Sequence, residues 1–163
     1  MPKAVLISGI SGSGKTTYAR MLEASGYTRI TLDEIIWERY GAGFPKLSAA
    51  EQQQATAQAE DELERRLREA LRQGRDVALD WCMCKRPKRD RMRRAADECG
   101  AEVKLVYMEC GLDEIKQRLA RRSVIGPNSL PVSPEMAEKF YRGFQRPDKD
   151  EDAELIDTNA KRE

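Results

Sequence analysis

Eight consecutive residues, Gly9-Ile10-Ser11-Gly12-Ser13-Gly14-Lys15-Thr16, satisfy the spacing G-x-x-x-x-G-K-[ST]. Each fixed position has a chemical reason. Glycine leaves room for backbone amides to curl around an anion, lysine reaches the outer phosphates of a nucleotide, and the Thr16 hydroxyl can ligate magnesium. Gly9, Ser11, Gly12, Ser13, Gly14, Lys15, Thr16 and Thr17 are therefore expected to hold a nucleotide. A glycine- and serine-rich turn without chemistry is the competing reading, and the flanks decide against it. Residues 4–8 read as a buried strand and residues 15–24 as a helix, whose N-terminus adds its own attraction for phosphate. Neither an N-K-x-D base-recognition segment nor a D-x-x-G switch stands in a suitable place, so ATP is expected rather than GTP.

Other residues extend this chemistry. Asp80 follows the apolar Val77-Ala78-Leu79, where a strand-end carboxylate can hold magnesium or its waters together with Thr16. A plain surface aspartate is the alternative. Arg118 and Arg122 are four apart, which places them on one helix face leading into a Gly/Pro/Asn/Ser loop over residues 123–132. Histidine is absent from the chain, which removes the commonest general base and every Ser-His or Cys-His nucleophile. Any proton transfer falls to a carboxylate or a lysine.

These residues need a scaffold, and the pattern supplies one. Strands are expected over residues 4–8, 27–32, 76–80 and 102–108, with an edge strand over 153–156. Helices are expected over residues 15–24, from Asp33 to about Arg39, over 86–99, from Leu112 to about Arg122, and over 133–143. The longest helix runs to about Gln73 from a capping box formed by Ser48 and Glu51. Strands alternating with helices imply right-handed crossovers, a parallel sheet, and a crevice at the carboxyl ends of its strands.

The chain has 163 residues, enough for one domain over residues 1–163. Twenty-nine basic and 28 acidic residues give a net charge of +1, so no overall field attracts nucleic acid or a membrane surface. A cytoplasmic protein without a membrane segment is expected. The four cysteines, Cys82, Cys84, Cys99 and Cys110, are expected as thiols, since Cys-x-Cys without histidine is a poor zinc site. Residues 85–94 hold seven basic residues in ten. A solvated helix face is expected there, with nucleic acid or a phosphorylated acceptor as the alternative.

The order of these parts resembles the P-loop kinase group that includes polynucleotide 5′-hydroxyl kinases, chloramphenicol phosphotransferase and zeta toxins, built on an AAA-type ATP-binding domain. The parts are the phosphate loop, Leu32-Asp33-Glu34, Leu79-Asp80, Ile115-Lys116-Gln117-Arg118 with Arg121 and Arg122, and Phe144-Gln145-Arg146-Pro147. The resemblance implies a three-layer α/β P-loop NTPase fold, with a parallel sheet of about five strands and a small helical lid over about residues 118–133. It implies Asp33 as the base that activates an acceptor hydroxyl, although helix capping would also suit an aspartate there. It implies that Lys15, Arg118 and Arg122 neutralise charge during transfer, with ATP and Mg2+ as cofactors, and it leaves Asp80 either at the metal or at the acceptor.

Polynucleotide kinases carry an arginine three residues after the catalytic aspartate, and Ile36 stands there, with Arg39 one turn on. Ile35, Ile36, Trp37, Tyr40 and Phe44 suggest an apolar wall for a small organic acceptor, with core packing as an equal account of some of them. The function expected is therefore phosphoryl transfer from Mg-ATP to a small hydroxyl compound. A nucleic-acid 5′-hydroxyl kinase is the alternative within enzymes, and a nucleotide-dependent switch or ATPase the alternative outside that class.

Overall fold

Apolar side chains that alternate along short strands dictate the centre of the molecule, here a computed structural model that describes residues 1–122, 126–128 and 132–159. The strands are β1 (Lys3–Ser8), β2 (Thr28–Thr31), β3 (Val77–Asp80), β4 (Glu102–Glu109) and β5 (Glu154–Asp157). They form one fully parallel sheet in the order β2-β3-β1-β4-β5. Because successive residues of a strand face opposite ways, the sheet buries two distinct faces. Ala4, Leu6, Val77 and Leu79 enter one core, while Val5, Ile7, Ala78 and Val106 enter the other.

The first face is covered by α2 (Leu32–Tyr40), α3 (Ala49–Arg72) and α4 (Arg86–Glu98), which contribute Ile35, Leu63, Leu67 and Met92. The second is covered by α1 (Lys15–Ala24) through Ala19, Tyr18 and Leu22. A smaller cluster joins Ile10 and Cys110 to α5 (Leu112–Ala120) and α6 (Pro134–Gly143) through Ile115, Leu119 and Ala137. This is the three-layer P-loop fold that the alternating elements require. No described helix is long and apolar enough to cross a membrane.

Local chemistry sets the helix starts. Ser48 and Glu51 make both bonds of the capping box on α3. Thr31 caps α2, accepting from Glu34 N at 3.1 Å, so β2 ends at Thr31 and Leu32 already belongs to the helix. The strand expected through Leu32 is shorter for that reason.

Two expectations need correction. Ile35 and Ile36 are 1% and 4% exposed in the core, with Tyr40 and Phe44 packed against it, so they are not the wall of an acceptor site. The basic stretch 85–94 is neither a solvated face nor an open cationic groove. Lys88 pairs with Glu60 at 2.5 Å, Arg91 with Glu64 at 2.5 Å and Asp61 at 2.8 Å, and Arg86 with Asp150 at 2.6 Å. Arg89, 2% exposed, reaches Glu151 through Nε at 2.6 Å and also donates to the carbonyls of Met83 and Gln145 at 2.9 and 2.8 Å. The charges fasten α4 to α3 and to the turn over Lys149–Glu151.

Removing one partner of a buried pair leaves the other charge desolvated and alone. Glu151→Ala is therefore expected to cost about 3–5 kcal/mol in urea unfolding. Asp150→Ala, which breaks the solvent-exposed pair with Arg86, should cost far less, because water screens that pair. Equal losses would show that burial does not set the weight of these pairs.

Candidate active site

The loop between β1 and α1 begins where Ser8 and Gly9 leave the sheet, with Gly9 N donating to Cys82 O at 3.2 Å. A Cβ on Gly9 would lie 2.6 Å from Ser13 Oγ and 3.0 Å from Met108 O, so only glycine allows the turn. Gly14 precedes α1 with φ 102°, a left-handed conformation that favours glycine, and no side chain caps the helix. Its first-turn amides are left without a side-chain acceptor. Ser13 Oγ is buried with no hydrogen-bond partner, an orphaned donor in the floor of a cationic loop. Both observations fit a cradle built for an anion.

Register brings the acidic groups to the same place. Asp80 pairs with Ile7 on one side and Thr31 on the other, so it stands at the carboxyl ends of three strands. Thr16 Oγ1 donates to Asp80 Oδ2 at 3.0 Å, and Lys15 Nζ donates to Ile10 O at 3.1 Å. This hydroxyl–carboxylate couple fits magnesium, which takes few protein oxygens and completes its shell with phosphate and water. Among the described residues no group of three or more Cys, Asp or Glu side chains is placed to hold a metal ion.

Asp33 lies on the first turn of α2, and because Thr31 performs the capping, its carboxylate is free of that duty. The pattern Thr31-Leu32-Asp33-Glu34, threonine three before glutamate, is the signal from which this division could have been read. The side chain is exposed and lines the cavity beside Lys15 and Asp80. Desolvation by the surrounding groups pushes its pKa above the ordinary value near 3.8, nearby Asp80 and Glu34 add to the rise, and Lys15 and Arg122 oppose it. Arg122 is in turn drawn down by burial, with Asp33 opposing.

The cavity has a volume of about 490 Å³. Ser11, Gly12, Gly14, Lys15, Thr16 and Thr17 line it, together with Asp33, Asp80, Arg118 and Arg122. Gly9 and Ser13 lie behind the lining and shape the loop. Arg118 NH1 donates to Gly12 O at 3.1 Å and Nε to Glu114 at 3.1 Å. The two arginines do not share one helix face, since α5 closes at Ala120 and Arg122 lies beyond its end. Of the expected lid over residues 118–133, residues 123–125 and 129–131 lie outside the described residues.

Other lining residues had no local sequence signal. Thr158, just past β5, donates from Oγ1 to Ser13 O at 2.6 Å and accepts from Arg118 NH1 at 3.3 Å. Asn128 Nδ2 donates to Glu34 Oε1 at 2.9 Å, where Arg29 also bonds at 2.7 Å. Burial alone would raise the Glu34 pKa, but these two partners hold it below the usual range.

The profile of one protein family, described as an AAA domain, matches residues 5–147. No curated protein sequence matches the chain. Solved structures align over nearly its full length. A sugar kinase from Janibacter sp. HTCC2649 is 18% identical with a TM-score of 0.69, covering 96% of this chain and 86% of its own. A gluconokinase from Sinorhizobium meliloti 1021 is 18% identical with a TM-score of 0.65, covering 96% and 82%. The APS kinase CysC of Mycobacterium tuberculosis, solved with AMPPNP and APS, is 19% identical with a TM-score of 0.63, covering 96% and 88%. At these identities the likeness is one of fold.

Two outcomes are expected. Gly9→Ala should abolish nucleotide binding in titration calorimetry while circular dichroism keeps its helical signal. An unchanged affinity would refute the role of the close Gly9–Ser13 approach. Asp33→Asn should raise the melting temperature of the nucleotide-free protein at neutral pH, by no more than about 1 kcal/mol of stability given solvent screening. The sign follows from the raised pKa: the folded state holds a proton that the unfolded state releases, so stability falls as pH rises from 3.8 through the folded value. The asparagine variant should lack that fall, and parallel pH profiles for the two proteins would contradict it.

Proposed function

This chain belongs to the family described as an AAA domain, and from that premise we propose that it is a phosphotransferase moving the γ-phosphate of ATP to a hydroxyl of a small molecule. The observation that carries the reading is Asp33, uncommitted to capping, in the same cavity as Lys15 and the Thr16–Asp80 couple. A switch protein has no need of an acceptor base at that position.

In this reading the loop amides and the α1 N-terminus bind the phosphates, and Lys15 exchanges Ile10 O for the β- and γ-oxygens. Thr16 and Asp80 would hold magnesium, which when bound would neutralise charge on the phosphates. Asp33 orients the acceptor hydroxyl and takes its proton, and the raised pKa brings the carboxylate nearer to neutrality, where a general base works best. Arg118 and Arg122 offset negative charge that spreads over the transferred group. Phosphoryl transfer asks mainly for positioning and charge neutralisation, so no histidine is needed.

A small acceptor is favoured by the size of the cavity, which lies within the range of small-molecule sites and must also hold the nucleotide. The likeness in fold to a sugar kinase, a gluconokinase and an APS kinase supports the same class. The nucleic-acid alternative loses its main support, because the basic residues of α4 are engaged with Glu60, Asp61, Glu64, Asp150 and Glu151. Arg39, the candidate to grip an acceptor phosphate, donates to Gln58 at 3.2 Å and lies outside the cavity lining.

The test is ATP consumption with magnesium, screened against pooled small hydroxyl compounds and against 5′-hydroxyl oligonucleotides, with Lys15→Ala as control. Stimulation by a small-compound pool is expected, and Asp33→Asn should lower kcat by about 10²–10⁴-fold while ATP affinity holds. The wild-type rate should fall as pH drops through the raised Asp33 pKa, since only the carboxylate accepts the proton. Stimulation by the oligonucleotides alone would transfer the proposal to a nucleic-acid kinase. Slow hydrolysis indifferent to every acceptor and to Asp33→Asn would identify a switch.

A further inference from the structure

Thr158 lies beyond residues 5–147, the stretch that the family profile matches, and stands one residue past β5. Its place is fixed from two sides. Thr158 N donates to Glu109 O at 2.8 Å, continuing the β4–β5 ladder past Asp157, and the next side chain, Asn159, accepts from Gly111 N at 2.8 Å. The Thr158 hydroxyl carries one proton. Ser13 O takes it at 2.6 Å, being the nearer acceptor, since Glu109 O is 3.2 Å away and already accepts from Thr158 N. The oxygen keeps its lone pairs, and Arg118 NH1 donates to it at 3.3 Å.

These bonds bear on the phosphate loop through the geometry of one peptide. Ser13 O and Gly14 N–H belong to the same planar trans unit and point opposite ways. A hydroxyl that holds the oxygen therefore also aims the amide, to the side away from Thr158. Gly14 leads into α1, whose first-turn amides no side chain caps. The same hydroxyl reaches a cation. Arg118 bonds to Glu114 and to Gly12 O at 3.1 Å each, and to Thr158 through both its hydroxyl and its backbone carbonyl. The arginine is thus held against the loop from both flanks, by Gly12 of the loop itself and by Thr158 across the cavity wall that they share.

We propose that Thr158 is a positioning residue for the nucleotide: its hydroxyl turns the Ser13–Gly14 peptide so that the Gly14 amide faces the phosphates, and it fixes Arg118 beside them. The inference rests on reading this cavity as an ATP site. It assigns Thr158 to the phosphates and not to the base.

The experiment titrates the full-length chain with ATP and magnesium, and separately with inorganic tripolyphosphate and magnesium, by calorimetry. Thr158→Val keeps the methyl, which lies 3.5 Å from where a Cβ on Gly14 would stand, and lacks only the hydroxyl. It should bind both ligands about five- to tenfold more weakly, the loss that one hydrogen bond corresponds to. Thr158→Ser, which restores the hydroxyl, should bind within about twofold of the wild type. Thr158→Ala repeats the test if the valine chain does not fold. Urea unfolding of the nucleotide-free proteins separates a purely structural threonine, which would lower the unfolding midpoint and leave the affinity of the folded molecule unchanged. That result would overturn the proposal. So would a loss for ATP that spares tripolyphosphate, because Thr158 would then act on the base, and so would a serine variant as weak as the valine one. Binding is read without any transfer. A wild type that binds ATP yet phosphorylates no acceptor would end the kinase reading and leave Thr158 decided by the same titrations, whereas a wild type that binds neither ligand would overturn both.

Discussion

β1 lies between β3 and β4, and its parallel register with β3 sets Ile7 against Asp80. Everything in the site is measured from that pairing. The strand is buried from Ala4 to Ser8, so sliding it by one residue would turn Ala4 and Leu6 toward the α1 side and Val5 and Ile7 toward α3. The hydrophobic effect therefore fixes the register, and the register in turn fixes the distance from Asp80 to the first turn of α1. The Thr16–Asp80 hydrogen bond is the result. A polar contact at the centre of the proposed site is positioned by apolar residues packed elsewhere in the sheet.

The same economy of position separates structure from chemistry along β2 and α2. Thr31 ends the strand and caps the helix, which leaves the next polar residue, Asp33, facing the cavity with its charge disfavoured. On the opposite side, carboxylates and arginines that could have formed a binding surface are consumed in joining α4 to α3 and to residues 148–151. The molecule thus keeps the charges of α4 satisfied in the scaffold and leaves Asp33, with its charge disfavoured, in the cavity.

The sequence made the phosphate loop readable because its spacing is a chemical requirement, and made Asp80 readable because an apolar run must end where a strand meets solvent. The helix starts at Ser48 and Pro134 were legible for the same local reasons. Arg89 was not. Nothing near it in the chain distinguishes it from Arg91 or Arg93, and its partner Glu151 is 62 residues away. Ile35 and Ile36 follow Asp33 as an acceptor wall would, but apolar type alone does not say which apolar surface a residue meets. Asn128 and Thr158 join the site through folding across long separations, and such contacts leave no periodic trace.

Thr158 bonds to Ser13 across 145 residues, and Arg118 bonds to Gly12 across 106. Contacts of such separation form late, because the entropy of closing the intervening chain must be overcome before they contribute. The finished shape of the loop near the start of the chain therefore depends on α5 and on the residue that follows β5 being in place. A nucleotide that needs the finished loop binds the native fold and not its precursors. The nucleotide proposed to bind there would then act as a ligand of the folding equilibrium, holding newly completed molecules in their native state by mass action.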